Sequence, residues 1–165
     1  MFRTLILLGL FCLAISCNNK NTPQESTPQQ TTSTTPPQSA GEQLYPSVSG
    51  EVVKHLWDNS TGVDYIMYNM NFSMNRTEQN DIRNSLVHIG NQAALIQKGC
   101  KPLGRVMFKD DDGIKLEADL YFSQKCKYFV FMENNKPAQA NFMSDEGVKF
   151  FTNVFNNMKL PIPPQ

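Results

Sequence analysis

Between Asn18 and Gly41 the chain has nothing with which to build a core. The stretch is almost wholly Asn, Gln, Thr, Ser and Pro, and it holds no large apolar side chain. Such a segment cannot bury enough surface to offset the entropy lost on ordering it. The composition predicts a disordered linker, stiffened locally by its prolines. Read as a coil, these 24 residues have an r.m.s. reach on the order of 25–30 Å. Ser, Thr and Pro content of this kind also suits a glycosylated stalk. Any stable fold is thereby confined to residues 42–165.

Ahead of the linker, one basic residue, Arg3, precedes the apolar run from Leu5 to Ile15. That run falls short of the roughly 20 residues a bilayer span needs. Charged start, short apolar middle and small residue before a cut form the layout of a secretory signal. Leu13-Ala14-Ile15-Ser16-Cys17 resembles the lipobox of bacterial lipoproteins. The resemblance covers residues 1–17 alone. It implies that residues 1–16 are removed and that Cys17 becomes the first residue and carries the lipid, with palmitate among its acyl chains. Each buried methylene contributes about 0.8 kcal/mol, and one chain holds weakly, so several chains make attachment effectively permanent. The membrane is then the first partner. In that family an Asp after the cysteine favours the inner membrane, so Asn18 implies the outer membrane of the cell envelope. No acidic run follows Cys17, which implies the periplasmic side. The alternative is a plain signal cut after Ser16, because Ala14-Ile15-Ser16 also serves as small-x-small.

The remainder has the size of one small domain. Of the 17 Phe, Tyr and Trp in the chain, only Phe2 and Phe11 lie before it, which leaves ample aromatic surface for a core. Without Arg3, Lys20 and Glu25, the fifteen basic and fifteen acidic residues become 13 and 14. No basic stripe runs along the sequence. That argues against nucleic acid as a partner and against an electrostatic membrane contact.

Once Cys12 is removed and Cys17 lipidated, Cys100 and Cys126 are left. Outside the cytoplasm they are expected to form a structural disulfide. A redox pair is the alternative, and no Cys-x-x-Cys supports it.

The patterning predicts an α+β domain. Pro46 to Asp58 reads as a helix with Val52, Val53, Leu56 and Trp57 on one face, ended by Asn59-Ser60-Thr61-Gly62. Ile66, Tyr68, Met70, Phe72 and Met74 alternate with more polar residues and predict a strand. Thr77 caps a second helix to about Ile89, continued by Ala93 and Ile96, with a kink at Gly90 and a cap at Gly99. A four-strand meander follows. It comprises Arg105 to Phe108, Ile114 to Phe122, Lys127 to Met132 and Ala138 to Phe142, with turns at Asp110-Gly113 and Glu133-Lys136. Leu116, Ala118, Leu120 and Phe122 point inward. Lys127 to Met132 is apolar on both faces, as a central or doubly covered strand would be. Ser144 caps a last helix bearing Val148, Phe151, Val154, Phe155 and Met158, stopped by Pro161, Pro163 and Pro164. One strand, a helix and a four-strand meander resemble the cystatin-like layout in element order. That resemblance is one of order alone.

Few constellations carry chemistry. Asp110, Asp112 and Gly113 have part of an EF-hand pattern, but Phe108 falls at the first ligand position and Asp119 at the twelfth. A solvated turn is the better reading, with Asp110, Asp112 and Asp119 as a weak calcium alternative. Glu117 and Asp119 share a strand face. His55 and His88 are the only histidines, and Glu51 stands one turn before His55 as a surface contact. No nucleophile elbow, phosphate loop or Rossmann glycine set is present, and no motif asks for a cofactor or a metal. Asn59-Ser60-Thr61, Asn71-Phe72-Ser73 and Asn75-Arg76-Thr77 read as chance matches to the glycosylation pattern. Tyr121, Phe129 and Phe131 form a candidate ligand-binding patch if the sheet face opposite Phe122 is left open, and a core if a helix covers it.

The leading expectation is a noncatalytic binding or accessory lipoprotein that contacts an envelope protein, a polymer or a small ligand. An envelope enzyme with an unrecognised site is the second reading, and an inhibitor-type protein the third.

Overall fold

A computed structural model of the chain describes residues 42–164; the predicted signal, Cys17 and the linker lie outside them. The order is β1 (Glu42–Leu44), α1 (Gly50–Asn59), β2 (Gly62–Met67), β3 (Ser73–Arg76), α2 (Gln79–Val87), β4 (Ile89–Ala93), β5 (Leu95–Gln97), β6 (Gly104–Asp110), β7 (Gly113–Phe122), β8 (Lys127–Glu133), β9 (Lys136–Met143) and α3 (Asp145–Asn157). Seven strands form one sheet in the order β3-β2-β6-β7-β8-β9-β4, and β1 and β5 form a separate ribbon. Every pairing is antiparallel. The domain is α+β, with the expected meander β6 to β9 at its centre.

Period-two alternation sorts side chains to the two sheet faces. On the inner face Val63, Tyr65, Val106, Phe108, Ala118, Leu120, Phe122, Phe129 and Phe131 meet Leu56 of α1, Ile82 and Leu86 of α2, and Phe151 and Phe155 of α3. On the outer face Tyr128, Val130 and Ala140 meet Ala94 and Cys126, with Tyr45 and Ile96 of the ribbon packed against them. The Cys100–Cys126 disulfide joins the segment after β5 to the start of β8 across a separation of 26 residues. A loop of that size contributes about 3.5 kcal/mol in the chain-entropy model. As the sequence predicts, β8 is covered on both faces: Tyr128, Phe129, Val130 and Phe131 are all buried.

Local expectations changed in four places. Helix α1 begins at Gly50, where Ser49 Oγ accepts from Val52 N at 3.2 Å. Pro46 is held elsewhere, its carbonyl accepting from Ala140 N of β9. The alternation from Ile66 to Met74 is a hairpin, not one strand. Asn69 takes φ 55° in the turn, and Ile66 pairs with Ser73. Within β2, Tyr65 and Met67 therefore face inward and Ile66 outward, a one-residue difference that exchanges faces. The third change is that Glu78, not Thr77, is the N-cap of α2. The apolar spacing carried on through Ala93 and Ile96 belongs to β4 and β5 rather than to a continued helix. Gly90 is no kink; a β-carbon there would stand 2.6 Å from the Phe142 carbonyl oxygen, so close strand approach demands glycine. Gly99, at φ +94°, turns the chain after β5 instead of ending a helix. Finally, the last helix begins as predicted, with Ser144 Oγ accepting from Gly147 N at 3.1 Å.

Asn141 ties three elements. Its Oδ1 accepts from Val48 N at 2.8 Å, and its Nδ2 donates to the Gly90 carbonyl at 2.7 Å. It is 2% exposed, so losing the first bond strands the buried Val48 amide and losing the second leaves the half-buried Gly90 carbonyl without this donor. Asn141→Ala is expected to lower stability by about 2–4 kcal/mol in urea unfolding.

His88, the C-cap of α2, stacks on Phe150 with ring centroids 4.6 Å apart. Burial, aided by Arg76 and opposed by Glu146, pushes its pKa down to about 4. The unfolded chain then binds more protons than the folded one between about pH 6.5 and pH 4, so stability falls as pH drops through that window. The loss reaches about 3 kcal/mol at the lower end. His88→Gln is expected to flatten the slope between about pH 7 and 5 in denaturant titrations, a range above most carboxylate titration.

Candidate functional site

The outer face divides along β7. Toward β8 and β9 the ribbon covers Tyr128, Val130 and Ala140, and Phe142 near the end of β9 stays exposed. Toward β2 and β6 its residues are part-exposed, and Ile66 stands 46% exposed among them.

Register builds the polar strip on this open half. Arg105 of β6 lies across from Asp119 of β7, and Met107 across from Glu117. Arg105 Nε and Nη2 both donate to Asp119 Oδ1, at 2.9 and 2.7 Å. Its Nη1 donates to Glu117 Oε1. Tyr68 Oη, from the β2–β3 turn, donates to the same Asp119 oxygen at 3.2 Å. Burial works against the Arg105 charge, but the Asp119 bond and charge, with Tyr68 and Glu117, hold its pKa above the usual value. Alongside, Lys109 Nζ lies 2.7 Å from Asp64 Oδ2, and Asn75 Nδ2 donates to Asp64 Oδ1 at 2.5 Å. Burial opposes the Asp64 charge, and these two donors outweigh it to lower the pKa. The result is a strip of mutually held charges with Ile66, Met107 and Tyr121 set among them. Apolar points framed by satisfied polar groups are the anatomy of a contact surface.

The strip leads into a cleft of about 290 Å³ at the end of the sheet, lined by Tyr68, Met70, Leu103, Phe122, Leu160 and Pro161 among others. That is the lower limit for small-molecule sites. It has room for one bulky side chain or a short acyl segment.

The predicted patch of Tyr121, Phe129 and Phe131 is not one surface. Ala118 pairs with Phe131 and Leu120 with Phe129, so both phenylalanines join the inner row of Phe122 beneath the helices. They are 2% and 1% exposed. Tyr121 alone faces outward, stacked on Tyr128 with centroids 4.7 Å apart. Burial first, then Asp119, pushes its pKa up to about 12.

The calcium alternative does not assemble. Asp110 and Asp112 sit at the β6–β7 turn, both engaged by Lys115, whereas Asp119 is bound to Arg105. Among the described residues, no group of three His, Cys, Asp or Glu is placed to hold a metal. His55 contacts Asp110 at 3.3 Å and Asn59, and the expected Glu51 contact is not among its bonds. Arg105 and Tyr68 escaped the sequence reading; the signal was the register that sets Arg105 against the Glu117–Asp119 pair.

No family model matches this chain, and the comparisons with curated proteins and with solved structures gave no match.

Asp119 raises the pKa of both Tyr68 and Tyr121, after burial. Asp119→Asn is therefore expected to bring tyrosinate absorbance up at lower pH in an ultraviolet titration. An unchanged curve would dissolve the strip as drawn.

Proposed function

We propose that this chain is a lipid-anchored bacterial envelope protein whose domain is a noncatalytic binding module. Cys17 carries the acyl chains, palmitate among them, and the outer membrane facing the periplasm is its location. The module contacts an envelope protein, polymer or small ligand. The observation that carries the binding part is the division of the outer face. One half is mostly covered by the crosslinked ribbon; the other presents the Arg105–Asp119–Tyr68 strip beside a small apolar cleft.

The enzyme reading draws less support. It needs a histidine beside a carboxylate within a cavity. His55 meets Asp110 on the surface, its side chain 52% exposed, and His88 is buried against Phe150.

Two measurements test the proposal. Cys17→Ser is expected to move the protein from the membrane to the soluble fraction and to abolish the acylated N-terminal peptide in mass spectrometry. A wild-type chain recovered uncut and without acyl chains overturns the anchor. A photo-crosslinking residue at Ile66 is expected to capture a discrete species in intact cells, while one at Asn153 on α3 captures none. Equal or absent capture at both positions overturns the binding surface.

A further inference from the structure

Four segments that are far apart in sequence meet at one end of the sheet. Met67 pairs with Gly104, Gly104 with Leu120, and Phe122 with Lys127. These registers bring together the β2–β3 turn, the segment before β6 and the β7–β8 turn. The C-terminal tail joins them, because Gln124 N donates to the Pro163 carbonyl at 3.0 Å. Residues 67–72, 98–103, 123–127 and 158–164 contain Lys98, Lys101, Lys125, Lys127 and Lys159, and no Asp or Glu. Lys98, Lys101, Lys125 and Lys159 are exposed. Lys98, Lys101 and Lys125 rim one depression of about 460 Å³ around the Cys100–Cys126 disulfide. Exposed Leu160 stands in the same tail. The carboxylates near this end are Asp119, held by Arg105 and Tyr68, Glu42, paired across from Gln97, and Asp145 and Glu146, which begin α3 after β9. The other end of the sheet carries the Asp110-Asp111-Asp112 turn and Glu133.

The chain enters the domain at this same end. Glu42 pairs with Gln97, the residue before Lys98. The described chain thus begins beside the lysines, and 25 residues of sequence separate Glu42 from the residue before Cys17.

We propose that the lysine-rich end of the domain rests on anionic lipid headgroups of the membrane to which the chain is anchored. The inference rests on the anchor proposed above and adds an orientation. The net charge near zero hides the feature, because the lysines are gathered by folding. Near an anionic surface each lysine contributes about a fivefold gain in partitioning, so three contribute on the order of a hundredfold. The contact is screened by salt. With the lysines down, the triple-aspartate turn points away from the bilayer and the open outer face stands to the side, accessible to a partner.

The test uses residues 17–165 with Cys17→Ser, which keeps every described residue and removes the acyl chains. Vesicles of phosphatidylcholine alone are compared with vesicles that also contain phosphatidylglycerol, by co-sedimentation at low and at high salt. The expected result is binding to the anionic vesicles only, lost at high salt. Lys98→Gln, Lys125→Gln and Lys159→Gln together are expected to weaken it on the order of a hundredfold. Lys54→Gln, Lys136→Gln and Lys149→Gln remove the same charge from other exposed positions and are expected to change it by under about threefold. Matching circular dichroism and melting curves establish that both triple variants fold. No binding to anionic vesicles, equal binding to neutral ones, or equal loss in the two triple variants overturns the proposal. Acylation of Cys17 is read separately from the mass of the N-terminal peptide. An unmodified Cys17 overturns the anchor alone, and an acylated chain that fails the vesicle comparison overturns the orientation alone.

Discussion

Strand β8 must be dry on both sides, and the architecture follows from that demand. Tyr128, Phe129, Val130 and Phe131 form an unbroken buried run, which no sheet with one wet face can accommodate at that strand. The chain meets it with two covers of different kinds. Three helices supply an apolar layer over the inner face that holds Phe129 and Phe131, aromatic where α3 brings Phe151 and Phe155. A three-residue-wide ribbon of β1 and β5 covers Tyr128 and Val130, and so thin a lid needs fastening.

The fastening is distributed. The disulfide clamps one end of the lid to the start of β8. Along β9, Ala140 is bonded on both sides, its N–H to the Pro46 carbonyl and its carbonyl to Ala94 N, each at 2.9 Å. Asn141 adds its amide to Val48 and Gly90. Together these hold β4, the segment before α1 and the ribbon against the same strand. Short elements that would fray alone are stable here because β4 pairs with β9 and the residues flanking β1 and β5, Pro46 and Ala94, bond to it.

The meander, the turn at Gly113, the last helix and its Ser144 cap were legible in the sequence, because each rests on local chemistry: strict alternation, turn residues, a capping hydroxyl. So was the cysteine pairing, once only two candidates remained. The hairpin at Asn69 was not, because an alternating pattern continues across a turn without a break when the turn residue is Asn rather than Gly. The helical spacing through Ile89, Ala93 and Ile96 misled in the same way; short strands beside Gly90 satisfy a period of four and three by coincidence. The placement of Phe129 and Phe131 depended on register with β7, and register is a property of two strands. The site was less legible than the fold for the same reason. Arg105, Glu117, Asp119 and Tyr68 have ordinary neighbours in sequence and become a unit only across three strands and a turn. The lysines at the sheet end are the extreme case, drawn from four segments whose individual charge is unremarkable.

The pairing of Glu42 with Gln97 has a mechanical consequence. A pull on the chain ahead of β1 loads the small ribbon first, not the seven-stranded sheet. Three residue pairs join β1 to β5, and β5 is covalently moored to β8 three residues further on. Tension is thus shared between weak backbone bonds at the entry and a covalent link just behind them. The ribbon can peel under load while the helical core stays shut, which makes β1 a sacrificial first element.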